Sequence, residues 1–296
     1  MVVTPRPAEV SDVAAPPVSG PVGHLRFKEF LRACGWPGIV ILIFGVIAVI
    51  GPWIAPYDPR AIDAVSLNMG PFHHGHLLGT DDLGRDLLSR VLIGTRPSLL
   101  TAIIPIAIAS LLGTLVGTVA AFSPKWSGAT IMRLLDVAFA FPSIMLAIAI
   151  AAMLGPSLSH AMIAITIVLI PPIARVARAA ALDVAGKPYI EAARLSGASQ
   201  RRVVMDFALP NMLPPILIYC AALAGLLIIF GAGLSFLGVG VQPPAAEWGR
   251  MVADGRQTLL FNVWASVIPG LCIFIVSVAF NFLADRLRDY MDPHLQ

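Results

Sequence analysis

Two long stretches without a charged side chain constrain the fold of this chain more than any other feature. No Asp, Glu, Lys, Arg or His occurs at residues 207–246 or at 257–284. Apolar runs of about 18 residues or more are typical of helices that span a membrane. The bilayer interior offers no water to backbone N–H and C=O groups, so only helices and closed barrels cross it. Nothing here alternates as barrel strands do, which predicts an all-α, polytopic membrane protein.

The composition agrees with a chain that lies largely in lipid. Of its 296 residues, 57% are hydrophobic and only 12% are charged, whereas a soluble domain carries about 25% charged residues. Gly113 and Gly117 have the four-residue spacing that lets two helices approach closely, although that spacing is also common by chance. The predicted spans cover approximately residues 36–54, 98–122, 131–154, 160–174, 212–237 and 263–284.

These spans divide the chain into regions. Residues 1–34 are predicted to be a disordered cytoplasmic tail that ends in a basic segment beside the membrane, because their composition buries little apolar surface. Residues 35–55 are the first transmembrane helix, 98–285 a five-helix core that includes a loop at 186–210, and 286–296 the C-terminus. Lys and Arg residues concentrate on the side of the two termini, which predicts that both termini are cytoplasmic.

The polar loop at residues 56–97 is predicted to be extracytoplasmic. Its second half has the pattern of an amphipathic helix that lies on the membrane surface. Asp86 and Arg90 have the spacing of an i,i+4 ion pair on that helix. Its apolar face carries Leu83, Leu87, Val91 and Leu92.

Several function classes are disfavoured by what the spans lack. The third span holds Asp136 close to Arg133, near its cytoplasmic end, whereas proton-driven carriers need buried ionisable relays. The spans also offer no obvious catalytic pair for an intramembrane hydrolase. No G-x-x-x-x-G-K-[ST] sequence occurs, so the chain is not expected to bind ATP through a P-loop. Cys34, Cys220 and Cys272 make no C-x-x-C pair and predict no disulfide framework, and no basic block points to nucleic acid.

The longest cytoplasmic loop has the features of a docking element. Pro188 fits the first turn of a short helix, and Glu191 lies near the positive end of that helix. Ser199 is placed to cap a second short helix through Leu209. An ordinary amphipathic loop is the alternative. Small residues that keep the surface low follow Glu191, namely Ala192, Ala193 and Gly197.

The residues of this loop also carry a family resemblance. The segment Glu191–Gly197 reads E-A-A-R-L-S-G, and after nine more residues the chain continues with F-A-L-P, which ends at Pro210. This pattern resembles the E-A-A-x-x-x-G loop of ABC importer permeases. In that family the loop forms the coupling helix that sits in a groove of the ATPase subunit.

Further segments resemble one class of these permeases, the class that transports dipeptides, oligopeptides or nickel. They are the segment from His76 to Asp86 and the segment from Leu234 to Met251. The ending, residues 286–293, is similar to that of the second of the two permeases in such systems. The resemblance covers about residues 25–293.

The resemblance implies the type I ABC importer permease fold, with six transmembrane helices and alternating access. The implied partners are a homologous second permease, two ATP-binding ATPase subunits and an extracytoplasmic solute-binding protein, all at the cell (inner) membrane. ATP and Mg belong to the ATPase subunits, so this chain is expected to bind no cofactor or metal and to hold no catalytic residue. The expected cargo is a di- or oligopeptide, with nickel or another small solute as the alternative.

The resemblance also assigns the coupling residues. It places Gly197 at the bend after the coupling helix, where a side chain would clash with the ATPase groove or oppose a positive φ. An ATP-independent channel or carrier and a membrane scaffold are rival functions, but neither requires an ATPase dock. The implied coupling residues are Tyr189, Glu191, Ala192, Ala193, Ser196, Gly197 and Pro210.

The segment that follows the fifth span is predicted to be a re-entrant or lid element at the outer face, with a simple loop as the alternative. Gly residues and a Pro pair break the helix there, and Trp248 is expected to anchor in the headgroup region. The candidate gate residues are Gly238, Gly240, Gln242, Pro243, Pro244, Glu247 and Trp248.

One histidine cluster, His73, His74 and His76, raises the question of a metal site. Imidazole is a ligand for transition metals. No Cys or acidic pattern joins the three histidines at close spacing, however. They are therefore predicted to be solvated loop residues.

Overall fold

The computed structural model describes residues 27–291, with side chains from Cys34 onward. Most of the predicted disordered tail lies outside the described residues, and the chain is helical from Phe27. No β-strand occurs within residues 27–291. The elements are α1 Phe27–Ile54, α2 Leu87–Phe122, α3 Lys125–Phe139, α4 Ser143–Leu154, α5 Leu158–Ala185, α6 Pro188–Leu195, α7 Gln200–Arg202, a π-helix Val203–Ala208, α8 Leu209–Phe236, α9 Trp248–Arg256 and α10 Trp264–Met291.

Five helical segments of the described chain are long and apolar enough to cross a membrane. They lie in α1, α2, α5, α8 and α10. Helices α3 and α4 pass the same test only together, and they are bent by 82°. With this pair counted as one span, the chain has six, which confirms the predicted all-α, six-span fold.

The third span is not the single straight helix predicted over residues 131–154. The break falls at Pro142, which has an extended backbone with φ −55° and ψ 127°. Proline disfavours the helical conformation of the preceding residue, here Phe141. Its ring nitrogen also donates no hydrogen bond to the carbonyl four residues earlier. One proline therefore converts a continuous apolar run into two helices.

Helix α2 begins further toward the N-terminus than the hydropathy pattern predicted. The predicted surface helix in the loop at 56–97 is wrong, because Leu87 starts one helix that continues to Phe122. Asp86 caps this helix, and its carboxylate accepts a hydrogen bond from the Ser89 amide at 2.8 Å. The predicted pair between Asp86 and Arg90 is not formed, since Arg90 turns to a different carboxylate. Charged residues in the first turns therefore belong to the helix that enters the membrane.

The packing of α2 against α5 forms the centre of the bundle. A Cβ added to Gly113 would lie 2.8 Å from Cγ2 of Ile173, and one added to Gly117 would collide with the carbonyl oxygen of Ala174. The predicted close approach at this glycine pair is thus confirmed. Helix α5 itself runs to Ala185, beyond the predicted end of its span at residue 174. Helix α10 packs on α8 and α9, and α1 lies across α2 and α10.

Candidate functional site

Helix α6 is a short exposed helix held to the body of the chain by one buried side chain. Pro188 occupies its first turn, as predicted, and Glu191 also lies in that turn. Ile190 is fully buried and packs with the core cluster. Tyr189, Glu191 and Ala192 are exposed. The helix therefore presents a free polar and small-residue face, while Ile190 fixes its position.

The bend after α6 depends on a glycine. Gly197 has φ +82°, and its amide donates to the Arg194 carbonyl at 3.0 Å, while the Ala198 amide donates to the Ala193 carbonyl at 3.1 Å. These bonds satisfy carbonyls at the end of the helix. No atom lies within 4 Å of an added Cβ. Two reasons for glycine were predicted, namely a positive φ and a clash with the ATPase groove. The structure confirms the positive φ, and within this chain a side chain at residue 197 would clash with nothing. The hydroxyl of Ser196 donates to the Ala192 carbonyl at 2.9 Å.

The second short helix begins where the sequence predicted, at Ser199. The Ser199 hydroxyl accepts a hydrogen bond from the Arg202 amide at 3.3 Å. The helix is not an independent element, however. It passes through the π-helix, whose Val203 and Ala208 are buried, directly into α8, where Pro210 lies in the first turn and is exposed. This part of the loop is thus continuous with the membrane-spanning helix α8.

Residues 55–86, which the sequence predicts to be extracytoplasmic, precede α2, and we call them the outer cap. The Thr80 hydroxyl accepts a hydrogen bond from the Met69 amide at 2.9 Å. The Asn262 side chain donates to the carbonyls of Met69 at 3.0 Å and Thr80 at 2.8 Å. The outer cap is therefore tied to the loop between α9 and α10, which is distant in sequence.

A set of buried and partly buried charges joins the outer cap to α2 and α9. The Asp81 carboxylate lies 2.7 Å from Arg85 Nε and 3.3 Å from Arg90 Nε. Asp254 lies 2.8 Å from Arg250 and 3.9 Å from Arg85. Breaking a buried charge pair is strongly destabilising, because the remaining charge is left without compensation. These five side chains, the outer charge cluster, therefore hold three segments together.

The histidine cluster separates into two environments. His73 and His74 are exposed, as predicted. His76 is buried, and its Nδ1 lies 2.8 Å from the carboxylate of Asp86. The prediction that His76 is a solvated loop residue is therefore wrong. Its contact with Asp86 holds in place the carboxylate that caps α2. Within residues 27–291, no three His, Cys, Asp or Glu side chains are grouped as a metal site.

Trp248 is not a headgroup anchor, because it is fully buried inside the chain. Its ring packs edge-on against Phe44, with centroids 5.6 Å apart, and its indole N–H donates to the Val91 carbonyl at 3.2 Å. The preceding Glu247 is fully buried too and caps α9, where it accepts from the Arg250 amide at 2.8 Å. Burial raises the pKa of Glu247 above its ordinary value. The segment is thus fixed to α2 rather than free at the surface.

The loop before Glu247 is a compact turn. Gly238 has φ +84°, and the Gln242 side chain donates to the carbonyls of Gly238 at 2.9 Å and Gly240 at 3.0 Å. Gly240 is buried, whereas Pro243 and Pro244 are exposed. The seven predicted gate residues therefore lie in one continuous segment that leads into α9. The proline pair is an exposed part of this segment.

Sequence reasoning missed the outer charge cluster. Asp81 and Arg85 have i,i+4 spacing within a segment already noted, and that signal was available. The partners at Arg250 and Asp254 are more than 160 residues away, and no local pattern joins them to the outer cap.

These features define a multi-pass membrane protein with an exposed loop at residues 186–210 and a packed segment at residues 55–86. The chain belongs to the binding-protein-dependent transport system inner membrane components, the family that matches residues 109–296. It is 41% identical over 263 residues to the di/tripeptide transport system permease protein DppC of Pseudomonas aeruginosa, and the matched residues cover 87% of each chain.

Another relative is the glutathione transport system permease protein GsiD of Pectobacterium atrosepticum. It is 39% identical over 273 residues, which cover 91% of this chain and 90% of the relative. Among solved structures, a chain of the inward-facing MetNI methionine ABC transporter has a TM-score of 0.58 and 19% identity, over 69% of this chain and 97% of that chain. This likeness shows the shared fold, and the curated relatives are transport permeases rather than enzymes.

Proposed function

We propose that this chain is one permease subunit of an ATP-driven importer of di- or oligopeptides. It forms half of the translocation pathway, together with a homologous second permease. Two ATPase subunits, which hold ATP and Mg, drive transport, and an extracytoplasmic solute-binding protein delivers the cargo. Both termini are cytoplasmic.

The observation that carries the coupling role is the geometry of α6. Its exposed face is formed by Tyr189, Glu191 and Ala192, and Ile190 holds it to the core. Gly197 then turns the chain back toward α8. Because α6 packs on the π-helix, which runs without a break into α8, a push on α6 is transmitted into the membrane. This arrangement supports an energy-coupling element more than a passive loop.

The cargo class rests on the relatives. Proteins at 41% and 39% identity over most of their length are named for di/tripeptides and for glutathione. A peptide bond is common to all of these cargoes. The compact outer turn of Gly238–Trp248 is proposed as part of the outer gate, and the outer cap as the surface that meets the binding protein.

The test is the composition of the complex that a tagged form of this chain brings down from its native membrane. A second permease and ATPase chains should co-purify, and ATP should drive peptide uptake after reconstitution. Ala192→Trp should reduce ATPase recovery, because the bulky ring obstructs the face of α6. Ala64→Trp, at an equally exposed alanine of the outer cap, should leave it unchanged. An active homo-oligomer that contains neither partner would contradict the proposal.

A further inference from the structure

The bend between α3 and α4 divides the third apolar span. Helix α4 has 12 residues, so it is about 18 Å long, whereas the hydrocarbon core is about 30 Å thick. Because α4 alone is too short to cross, the span includes part of α3, and the break at residues 140–142 lies within the span. Every residue from 139 to 145 is exposed on this chain. Irregular backbone at membrane depth is tolerated only where protein covers it or where it lines a water-filled cavity.

An exposed ion pair lies on the same face. Arg175 of α5 contacts the Asp136 carboxylate of α3 at 2.7 Å, and the two side chains are 55% and 52% exposed. The same guanidinium lies 4.4 Å from the centroid of the Phe139 ring, at the edge of the bend. Charged side chains within spans almost always face the bundle interior or a water-filled cavity. The ion pair and the bend are thus two separate indications that lipid does not cover this face.

Helix α5 adds a third polar feature beside them. Pro171 and Pro172 lie within the helix, and their ring nitrogens donate no hydrogen bond to the carbonyls of Ile167 and Val168. Ile167 is exposed. A carbonyl deprived of its helical donor is satisfied most readily by water.

Helix α1, which packs on α2 and α10, carries no exposed ion pair from Cys34 onward, although Pro37 and Pro52 also lie within it. Helix α1 carries no charged residue from Cys34 to Ile54, and its exposed side chains include Leu42, Val46 and Val49. Such a surface suits lipid. The polar exposed groups are therefore concentrated on one side of the bundle.

We propose that residues 136–145 and Arg175, which we call the bend face, line the water-filled pathway near its cytoplasmic mouth. The Arg175–Asp136 ion pair is the latch that holds the bent span against α5. Asp136 lies in the first half of the bent span Lys125–Leu154, and Arg175 lies in the second half of α5. These are the halves next to the predicted cytoplasmic loops. This inference rests on the proposed function, because it assigns a surface of the translocation pathway.

The test uses two valines of equal exposure as reporters. Val137 on the bend face and Val49 on α1 are both 64% exposed. In the full complex, with Cys34, Cys220 and Cys272 replaced by serine, each valine is changed to cysteine. Inverted vesicles are treated with a membrane-impermeant thiol reagent, without nucleotide and after trapping with ATP and vanadate.

Val137→Cys should react without nucleotide, and its rate should fall at least about tenfold in the trapped state, because reaction needs a hydrated thiolate. Val49→Cys should react in neither state. The inference would be overturned if Val137→Cys reacted in neither state, or at the same rate in both. A position that faces lipid or lies in the headgroup region has the same accessibility in the two states.

The latch is tested by exchanging its charges. Asp136→Arg alone should abolish peptide uptake, and the exchange Asp136→Arg with Arg175→Asp should restore a substantial part of it. An exchange no better than the single change would refute the latch. Peptide uptake by the wild-type complex separates this inference from the proposed function. If the wild type fails to import peptide while the accessibility of Val137→Cys still alternates, the cargo assignment fails and the bend face stands.

Discussion

One added methyl group tests the bend of the docking loop. Gly197 has φ +82°, and an L-residue in the left-handed region costs about 1–2 kcal/mol. No atom lies within 4 Å of the added Cβ, so the cost of Gly197→Ala within this chain is conformational and not steric. A cost of this size changes an equilibrium between two loop conformations by about 5–30-fold.

The chain offers a matched control at the start of the same loop. Gly186 has φ −85°, which any residue adopts, and the nearest atom to its added Cβ is the Asp183 carbonyl oxygen at 3.6 Å. Gly186→Ala should therefore behave as the wild type. Gly197→Ala should lower ATPase co-purification or substrate-stimulated ATP hydrolysis, with the six spans still inserted. Gly197→Asp should be at least as damaging, because it also places a charge at the docking surface.

The assay compares the three variant complexes with the wild type after purification through a tag on this chain. The ratio of ATPase chains to permease is measured first, and then the stimulation of hydrolysis by loaded binding protein. Wild-type values for both Gly197 variants would refute the reasoning, because they would show that neither the bend nor its surface is needed for coupling.

Three further predictions concern stability, measured by thermal unfolding in detergent. Asp81→Asn removes a counter-charge from two buried arginines and should cost about 3–5 kcal/mol, whereas the exposed Asp58→Asn should have little effect; equal midpoints would count against the outer charge cluster. Gly117→Leu should destabilise by about 1–3 kcal/mol through overpacking, unlike Gly45→Leu, whose added Cβ meets no atom within 4 Å. Burial raises the pKa of Glu247 above 4.5, so the folded state binds the proton of this carboxyl more tightly than the unfolded state does. The stability of the wild type relative to Glu247→Gln should therefore fall as the pH rises above 4.5. Parallel curves of stability against pH for the two proteins would contradict this.

Hydropathy located the spans but misplaced several helix ends, for a physical reason. The predicted fourth span ended at residue 174 because Arg175 is charged, yet α5 continues to Ala185. A charged residue does not end a helix, and Arg175 contacts the carboxylate of Asp136 on α3. The same applies to α2, whose first turns carry Arg90 in a buried ion pair. The sequence does contain a signal for the bend in the third span, namely Pro142. The continuous apolar run around it nevertheless predicted a single span without a break.

The docking loop was more predictable than the outer face. Pro188, Ser199 and Gly197 act through their own backbone and their near neighbours, so local sequence was enough. Glu247 and Trp248 act through contacts with α2, including a hydrogen bond from the Ser98 hydroxyl to Glu247 at 3.1 Å across 149 positions. Composition does not distinguish a buried tryptophan from one at the membrane surface. The outer face therefore required the tertiary structure.

The central claim is that this chain imports peptides only as part of an ATP-driven complex. The most direct test is uptake of a labelled dipeptide or tripeptide into proteoliposomes that contain the purified complex, with its binding protein outside and ATP inside. The account predicts accumulation that requires ATP, the binding protein and this chain. Equal uptake without ATP, or without the ATPase subunits, would contradict it.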